Sequence, residues 1–189
     1  MSGERAFRRR EKRANMDDQL ILTDIFDNEI GTMSKSEAHR LGRLHRAFSV
    51  FIVSGGKMLI QKRHPGKYHS GGLWANACCS HPRSGEALAD AVERRTQEEL
   101  GVTCPLKELF SFVYFSKYAD DLFEYEFDHV FLGEYGGALS PDPEEIEELS
   151  WVGFDELEQL LVTEPQRFST WFLIAAPKVL ALLKQEAAL

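Results

Sequence analysis

EALADAVERRTQEELG, residues 86–101, is the most regular stretch of this 189-residue chain. Leu88, Val92, Arg95 and Glu99 fall at i, i+4, i+7 and i+11, a single stripe of a 3.6-residue helix. Gly101 follows as the residue that most easily turns left-handed at a helix end. The pattern predicts a helix over 86–100. Leu88 and Val92 aim the stripe at the core, so Arg95 and Glu99 are carried inward with them. A buried charge is costly unless it is paired or bound to something. At i and i+4 the two could pair with each other, or both could serve a ligand.

Strand patterns flank this helix. AFSVFIV (47–53) and MLIQKR (58–63) enclose the turn Ser54-Gly55-Gly56-Lys57 and predict a hairpin. A glycine- and proline-rich loop (64–72) leads to a short strand, Trp74 to Cys79. Two long strands are expected near 107–118 and 123–135, with Ala119-Asp120-Asp121 between them. Upstream, 19–26 reads as a strand, and Ser34-Lys35-Ser36-Glu37 is a capping box opening a short helix to about Arg40. Downstream, the acidic loop SPDPEEIEE precedes strand LSWVGF, a helix opened by Asp155, and a last helix from about Ser169 with Pro177 as a kink. The expected class is α+β, an αβα sandwich in which a mixed sheet has helices on both faces.

Composition narrows the function. The chain is 43% apolar and 28% charged, as soluble globular proteins are, and no apolar run nears the roughly 20 residues of a membrane span. No secretory h-region follows the basic N-terminus. Three cysteines, two of them adjacent, argue against a disulfide framework and for a reducing, cytoplasmic setting. Residues 1–15 carry six Lys/Arg against two Asp/Glu, leaving the rest with 16 basic and 28 acidic residues. The arm lacks interleaved aromatics and reads as a disordered tail before one domain, 16–189, with no nucleic-acid partner and no stable membrane association. So acidic a body requires any anion site to be built from a few local cations.

Two further groups of polar residues are out of place. Glu124 and Glu126 leave one face of strand FEYEFDHVF, opposite Phe123, Tyr125, Phe127 and Phe131, which must be packed. Either the acidic face is solvated, or two like charges sit together and demand a proton or a cation. His39, His45 and His81 lack the local spacing of a helical metal motif, so only folding can gather them. With the glutamates they would complete an N/O site for a divalent transition metal. His64, His69 and His129 read as structural histidines.

The helix and the loop before it resemble the Nudix box, G-x5-E-x7-R-E-U-x-E-E-x-G-U, with Glu86, Arg94, Glu98, Glu99 and Gly101 in register. Ser80 replaces the first Gly, Arg95 a Glu and Thr96 an aliphatic residue, which weakens the case for a pyrophosphohydrolase. EAHRLGRLHRAFSVF (37–51), WANACCSHP (74–82), EYEFDHVF (124–131) and RFSTWFL (167–173) resemble type 1 isopentenyl diphosphate isomerases. That resemblance implies an isomerase moving a double bond in an isoprenoid diphosphate. Cys79 and Glu126 would be the acid/base pair, with Tyr114 in support. His39, His45, His81, Glu124 and Glu126 would hold Zn²⁺ or Mn²⁺, and Glu99 with the Cys79 carbonyl would hold Mg²⁺. Lys35, Arg63, Lys67 and Arg95 would bind the diphosphate, and Trp171 would face the isoprenoid carbons. A monomer or weak homodimer is expected.

Overall fold

Two glycines fix the hairpin at the centre of the sheet. Gly55 (φ 53°) and Gly56 (φ 77°) are both left-handed, as a type I′ turn requires. They join β3 (His45–Ser54) to β4 (Lys57–Arg63), with Ser54 paired to Lys57. The computed structural model describes residues 19–187, so the basic arm expected over 1–15 lies outside the described residues. The other elements are β1 (Gln19–Thr23), β2 (Glu29–Ser34), α1 (Lys35–Leu41), β5 (Trp74–Asn76), β6 (Cys78–Ser80), α2 (Leu88–Leu100), β7 (Leu106–Ala119), β8 (Leu122–Glu134), β9 (Ile146–Gly153), α3 (Phe154–Thr163) and α4 (Thr170–Ala187).

Among the described residues nine strands join one mixed sheet, in which β3 runs antiparallel to β4 and parallel to β8. Alternation along β3 splits the core in two. Phe48, Val50 and Ile52 pack with Ala91, Val92 and Leu100 of α2. Phe51 faces the other way, onto Leu157 of α3 and Trp171, Phe172 and Ala175 of α4. Each large apolar side chain buried in this way contributes about 1.5–3 kcal/mol. Helices therefore cover both faces of a mixed sheet, the α+β sandwich expected. Among the described residues no helix is long and apolar enough to cross a membrane, and Cys78, Cys79 and Cys104 are all free thiols.

Two local expectations change. β1 stops at Thr23 because the Asp24 carboxylate accepts the amides of Phe26 (2.8 Å) and Asn28 (3.0 Å), turning the chain into the unanticipated β2. The strand expected over 74–79 divides at Ala77. β5 pairs with β4, and β6 with β3. The last helix begins at Thr170 and carries Pro177 inside it, as expected.

Candidate active site

Strand register assembles the site. His45 of β3 lies beside Glu126 of the parallel β8, and Tyr114 of β7 lies opposite Glu126 on its other side. One row across three strands thus carries His45, Glu126 and Tyr114. Glu124 stands two residues along the same face. β6 sets Cys79 opposite Ser49 of β3, and His81 follows immediately. Cys79 packs towards α4 while Cys78 is buried under α2. α1 delivers buried His39.

Backbone carbonyls choose the histidine tautomers. His39 Nδ1 is 2.7 Å from the Lys35 carbonyl and His45 Nδ1 is 2.8 Å from that of Arg43. A carbonyl only accepts, so both rings carry their proton on Nδ1 and present a bare Nε2 to the site. His39 Nε2 is buried and has no hydrogen-bond partner. His45 Nε2 lies 3.3 Å from His81 Nε2, which is 2.8 Å from Glu126 Oε1. Burial, then His45, lowers His39 to about 4, and burial holds His81 well below its ordinary range. Their lone pairs are therefore free at neutral pH. His39, His45, His81 and Glu126 can each bring a ligand atom within 4.8 Å of the others. An orphaned Nε2 in such a set, with the Nδ1–H groups of His39 and His45 held by carbonyls, fits a divalent metal ion.

Glu124 belongs to a neighbouring group, His39, His69 and Glu124, that shares His39 with the first. His69 is thus not a remote structural histidine: its Nε2 lies 3.0 Å from Glu124 Oε1, and its ring stacks on Tyr118 and meets Trp171 edge-on. The Tyr114 hydroxyl is 2.6 Å from Glu126 Oε2 and 3.0 Å from Glu124 Oε2, which also accepts from Tyr118 at 2.9 Å. Burial and the adjacent Glu126 push Glu124 up to about 8. Burial would raise Glu126 too, but the His45 and His81 rings set against it outweigh burial and hold that carboxyl low. Burial raises the Cys79 thiol to about 12, although Arg63 Nη1 lies 3.6 Å from its sulfur. The site therefore holds a neutral thiol and an ionised carboxylate.

These groups line one cavity of about 470 Å³. Lys35, Arg63, Lys67 and Arg95 also line it, as do Glu99 and Trp171. Arg95 forms an ion pair with Glu99, the i, i+4 pairing that the sequence allowed, and a second with Glu98 at 2.9 Å. Arg94 turns aside to Glu86, 2.6 Å away. The Trp171 indole N–H donates to Asn76 Oδ1 (3.0 Å), whose amide nitrogen spans the β5–β6 break to the carbonyls of Val50 and Cys78. On the reverse face of β8, Phe123, Tyr125 and Phe127 are half-buried, not enclosed. Their neighbour Phe115 is 57% exposed. His129 lies there, bridging Asp27 and Glu108.

Sequence reasoning missed His69, Tyr118, Asn76 and Glu145, all of which touch this site. Tyr118 alone left a signal, lying four residues after Tyr114 on the same strand face.

Residues 43–172 match the NUDIX domain family. Isopentenyl-diphosphate Delta-isomerase 2 of Aromatoleum aromaticum is 46% identical over 167 residues, 88% of each chain. The chain belongs to the isopentenyl-diphosphate Delta-isomerase family. The isopentenyl-diphosphate Delta-isomerase of Serratia proteamaculans is 46% identical as well, covering 84% of this chain and 89% of that one. Among solved structures, a Deinococcus radiodurans protein superposes with TM-score 0.70 at 20% identity, covering 85% of this chain and 98% of its own. A MutT NUDIX hydrolase from Burkholderia pseudomallei gives 0.59 at 24%, covering 72% and 98%. Likeness at that level of identity speaks for the fold. Cys79, His81, Glu124 and Glu126 are thus read within an isomerase family.

Proposed function

We propose that this cavity converts isopentenyl diphosphate to dimethylallyl diphosphate, with Cys79 and Glu126 as the proton-exchanging groups. One observation carries the assignment: a half-buried thiol and a buried carboxylate, from different strands, line one cavity that also holds six lysine and arginine side chains. The reaction adds a proton to the terminal alkene carbon and removes one from C2, so the substrate gains and loses one proton. Protonation leaves a tertiary cation at C3. Two positioned groups, one giving and one taking, suit this chemistry.

Each remaining residue has a task in that scheme. Tyr114 steadies the Glu126 carboxylate through its 2.6 Å hydrogen bond. Trp171 offers an aromatic face to the cation, an interaction of about 2 kcal/mol or more when desolvated. Lys35, Arg63, Lys67 and Arg95 hold the diphosphate through charge-assisted hydrogen bonds. His39, His45, His81, Glu124 and Glu126 would hold Zn²⁺ or Mn²⁺, whose charge would tune the proton affinity of Glu126. Glu99 with the Cys79 carbonyl would hold Mg²⁺ beside the diphosphate. We read residues 16–189 as one isomerase domain acting in the cytoplasm, as a monomer or weak homodimer, on a small isoprenoid diphosphate, without nucleic acid or stable membrane association.

Incubation with isopentenyl diphosphate in D₂O, with Mg²⁺ and Zn²⁺ or Mn²⁺ supplied, should yield dimethylallyl diphosphate carrying deuterium. Absence of that product under these conditions refutes the assignment.

A further inference from the structure

The diphosphate cradle contains a carboxylate that this reading leaves without a role. Glu145 lies in the loop before β9, and its backbone is tied on two sides. The His64 amide donates to the Glu145 carbonyl at 2.9 Å, and the Glu145 amide donates to the carbonyl of Asp142 at 3.0 Å, whose own amide donates to the Glu99 carbonyl at 2.9 Å. So anchored, the Glu145 side chain, 18% exposed, forms an ion pair with Lys67 and comes within 3.6 Å of Arg95 Nη2. That same nitrogen is ion-paired with Glu99. Two carboxylates from separate elements therefore converge on one guanidinium nitrogen. Arg63, only 8% exposed, lines the same cavity, and its Nε has no hydrogen-bond partner.

As a plain counter-ion, Glu145 would be at odds with the ligand. A diphosphate reaching Lys67 and Arg95 would meet two carboxylates already on its own cations, and like charges at such range repel. Magnesium resolves the conflict, since it is commonly held by one or two carboxylates together with substrate phosphate oxygens. Resting on the diphosphate reading above, we infer that Glu145 joins Glu99 as a carboxylate ligand of the divalent cation that accompanies the diphosphate. In the free protein Arg95 Nη2 marks where that positive charge is shared.

The test uses the full chain, first loaded with Zn²⁺ so that added Mn²⁺ reports on the second position. Affinity for inorganic pyrophosphate is measured by calorimetry with and without Mn²⁺, and bound Mn²⁺ is followed by electron paramagnetic resonance. In the wild type Mn²⁺ should tighten pyrophosphate binding. Glu145→Gln should cut that metal-dependent gain by about tenfold or more, a loss on the scale of disturbing a metal's coordination. It should not weaken metal-free pyrophosphate binding. Glu99→Gln should lose the gain as well. If Glu145→Gln does not fold, Glu145→Asp carries the same test with a carboxylate one methylene shorter. A normal gain in the Glu145 variant, lost only in Glu99→Gln, overturns the inference and leaves the diphosphate reading standing. Tighter metal-free binding with an unchanged gain makes Glu145 a mere counter-ion, which also overturns it. No gain in the wild type overturns both.

Discussion

Tyr114→Phe removes a single oxygen from the centre of the site. The hydroxyl lies 2.6 Å from Glu126 Oε2 and 3.0 Å from Glu124 Oε2, in a residue only 6% exposed. A hydrogen bond to a charged group contributes about 1.5–3 kcal/mol net, and phenylalanine cannot supply it. The ring itself stays, stacked on Phe112 at 5.6 Å, so packing is preserved. Glu126 keeps its contacts with His45 and His81 but loses its hydroxyl donor. If this carboxylate exchanges a proton with the alkene, the lost energy appears in the barrier, a fall in kcat of roughly 10- to 150-fold. Nothing in the basic cradle changes, so KM for isopentenyl diphosphate should stay within about twofold. Steady-state formation of dimethylallyl diphosphate, followed by NMR, gives both constants. A kcat within about threefold of wild type would refute the coupling between Tyr114 and Glu126. So would a loss confined to KM.

Cys79→Ala should abolish turnover, whereas Cys78→Ala, whose side chain is buried on the α2 side, should stay active and lose about 1–2 kcal/mol in urea unfolding; near-normal turnover in Cys79→Ala identifies another proton donor or acceptor. Trp171→Leu should lower kcat by about 30-fold, the equivalent of a 2 kcal/mol cation–aromatic contact. Trp171→Phe, which keeps an aromatic face but drops the bond to Asn76, should lose less, and equal losses would remove the ring from the mechanism. Metal-free stability should rise with pH between about 4.5 and 6.5. The folded pKa values of His39 (about 4), His69 (about 3) and His81 lie below the unfolded 6.5, so the unfolded chain binds three extra protons there. Glu124, raised to about 8, and Asp128, raised well above its ordinary range by burial, each bind one extra proton in the folded state. The net of one proton to the unfolded chain gives a slope of about 1–1.5 kcal/mol per pH unit. Zn²⁺ should steepen it, because protons compete for the same histidines. A urea midpoint that is flat across this range in EDTA counts against the account.

Legibility divided along the line between local and non-local determinants. The central helix, its Gly101 terminus, the Ser34 cap and the Gly55-Gly56 hairpin were readable because each depends on residues within a few positions of one another. Glu124 and Glu126 showed themselves as misplaced charges on a strand with an aromatic reverse face. Strand pairing, by contrast, decides what sits beside them. Nothing local says that β8 lies parallel to β3, yet that register alone puts His45 next to Glu126. Nor could the break at Ala77 be read, since no turn-forming glycine or proline marks it in 74–80 and the stretch divides only because β5 and β6 find different partners. His69 was misread for a related reason. It is a lone histidine in a glycine-rich loop, aimed inward by a tight backbone in which Ser70 is left-handed (φ 50°). Glu145 was hidden in a run of five acidic residues, and only its pairing with Lys67 and Arg95 in the fold singles it out.

The same physics explains how a box resembling that of hydrolases can sit in an isomerase family. At the position where the box pattern has a second carboxylate, this chain has Arg95, which lines the cavity beside Glu99. On the reading proposed above, the exchange would remove a metal-gathering group and add a phosphate donor, suiting the helix to gripping a diphosphate more than to cleaving one. Proton chemistry is then free to occupy β6 and β8, away from the box. It succeeds only if the C3 cation meets no water, which would capture it as an alcohol. Here the backbone contributes: the Ser169 amide donates to the Trp74 carbonyl at 2.9 Å, pinning the start of α4 to β5. Trp171, at 3% exposure and bonded to Asn76 at the end of β5, is thereby held in the cavity wall by the fold itself. An aromatic wall fixed before substrate arrives costs nothing to organise when the cation forms.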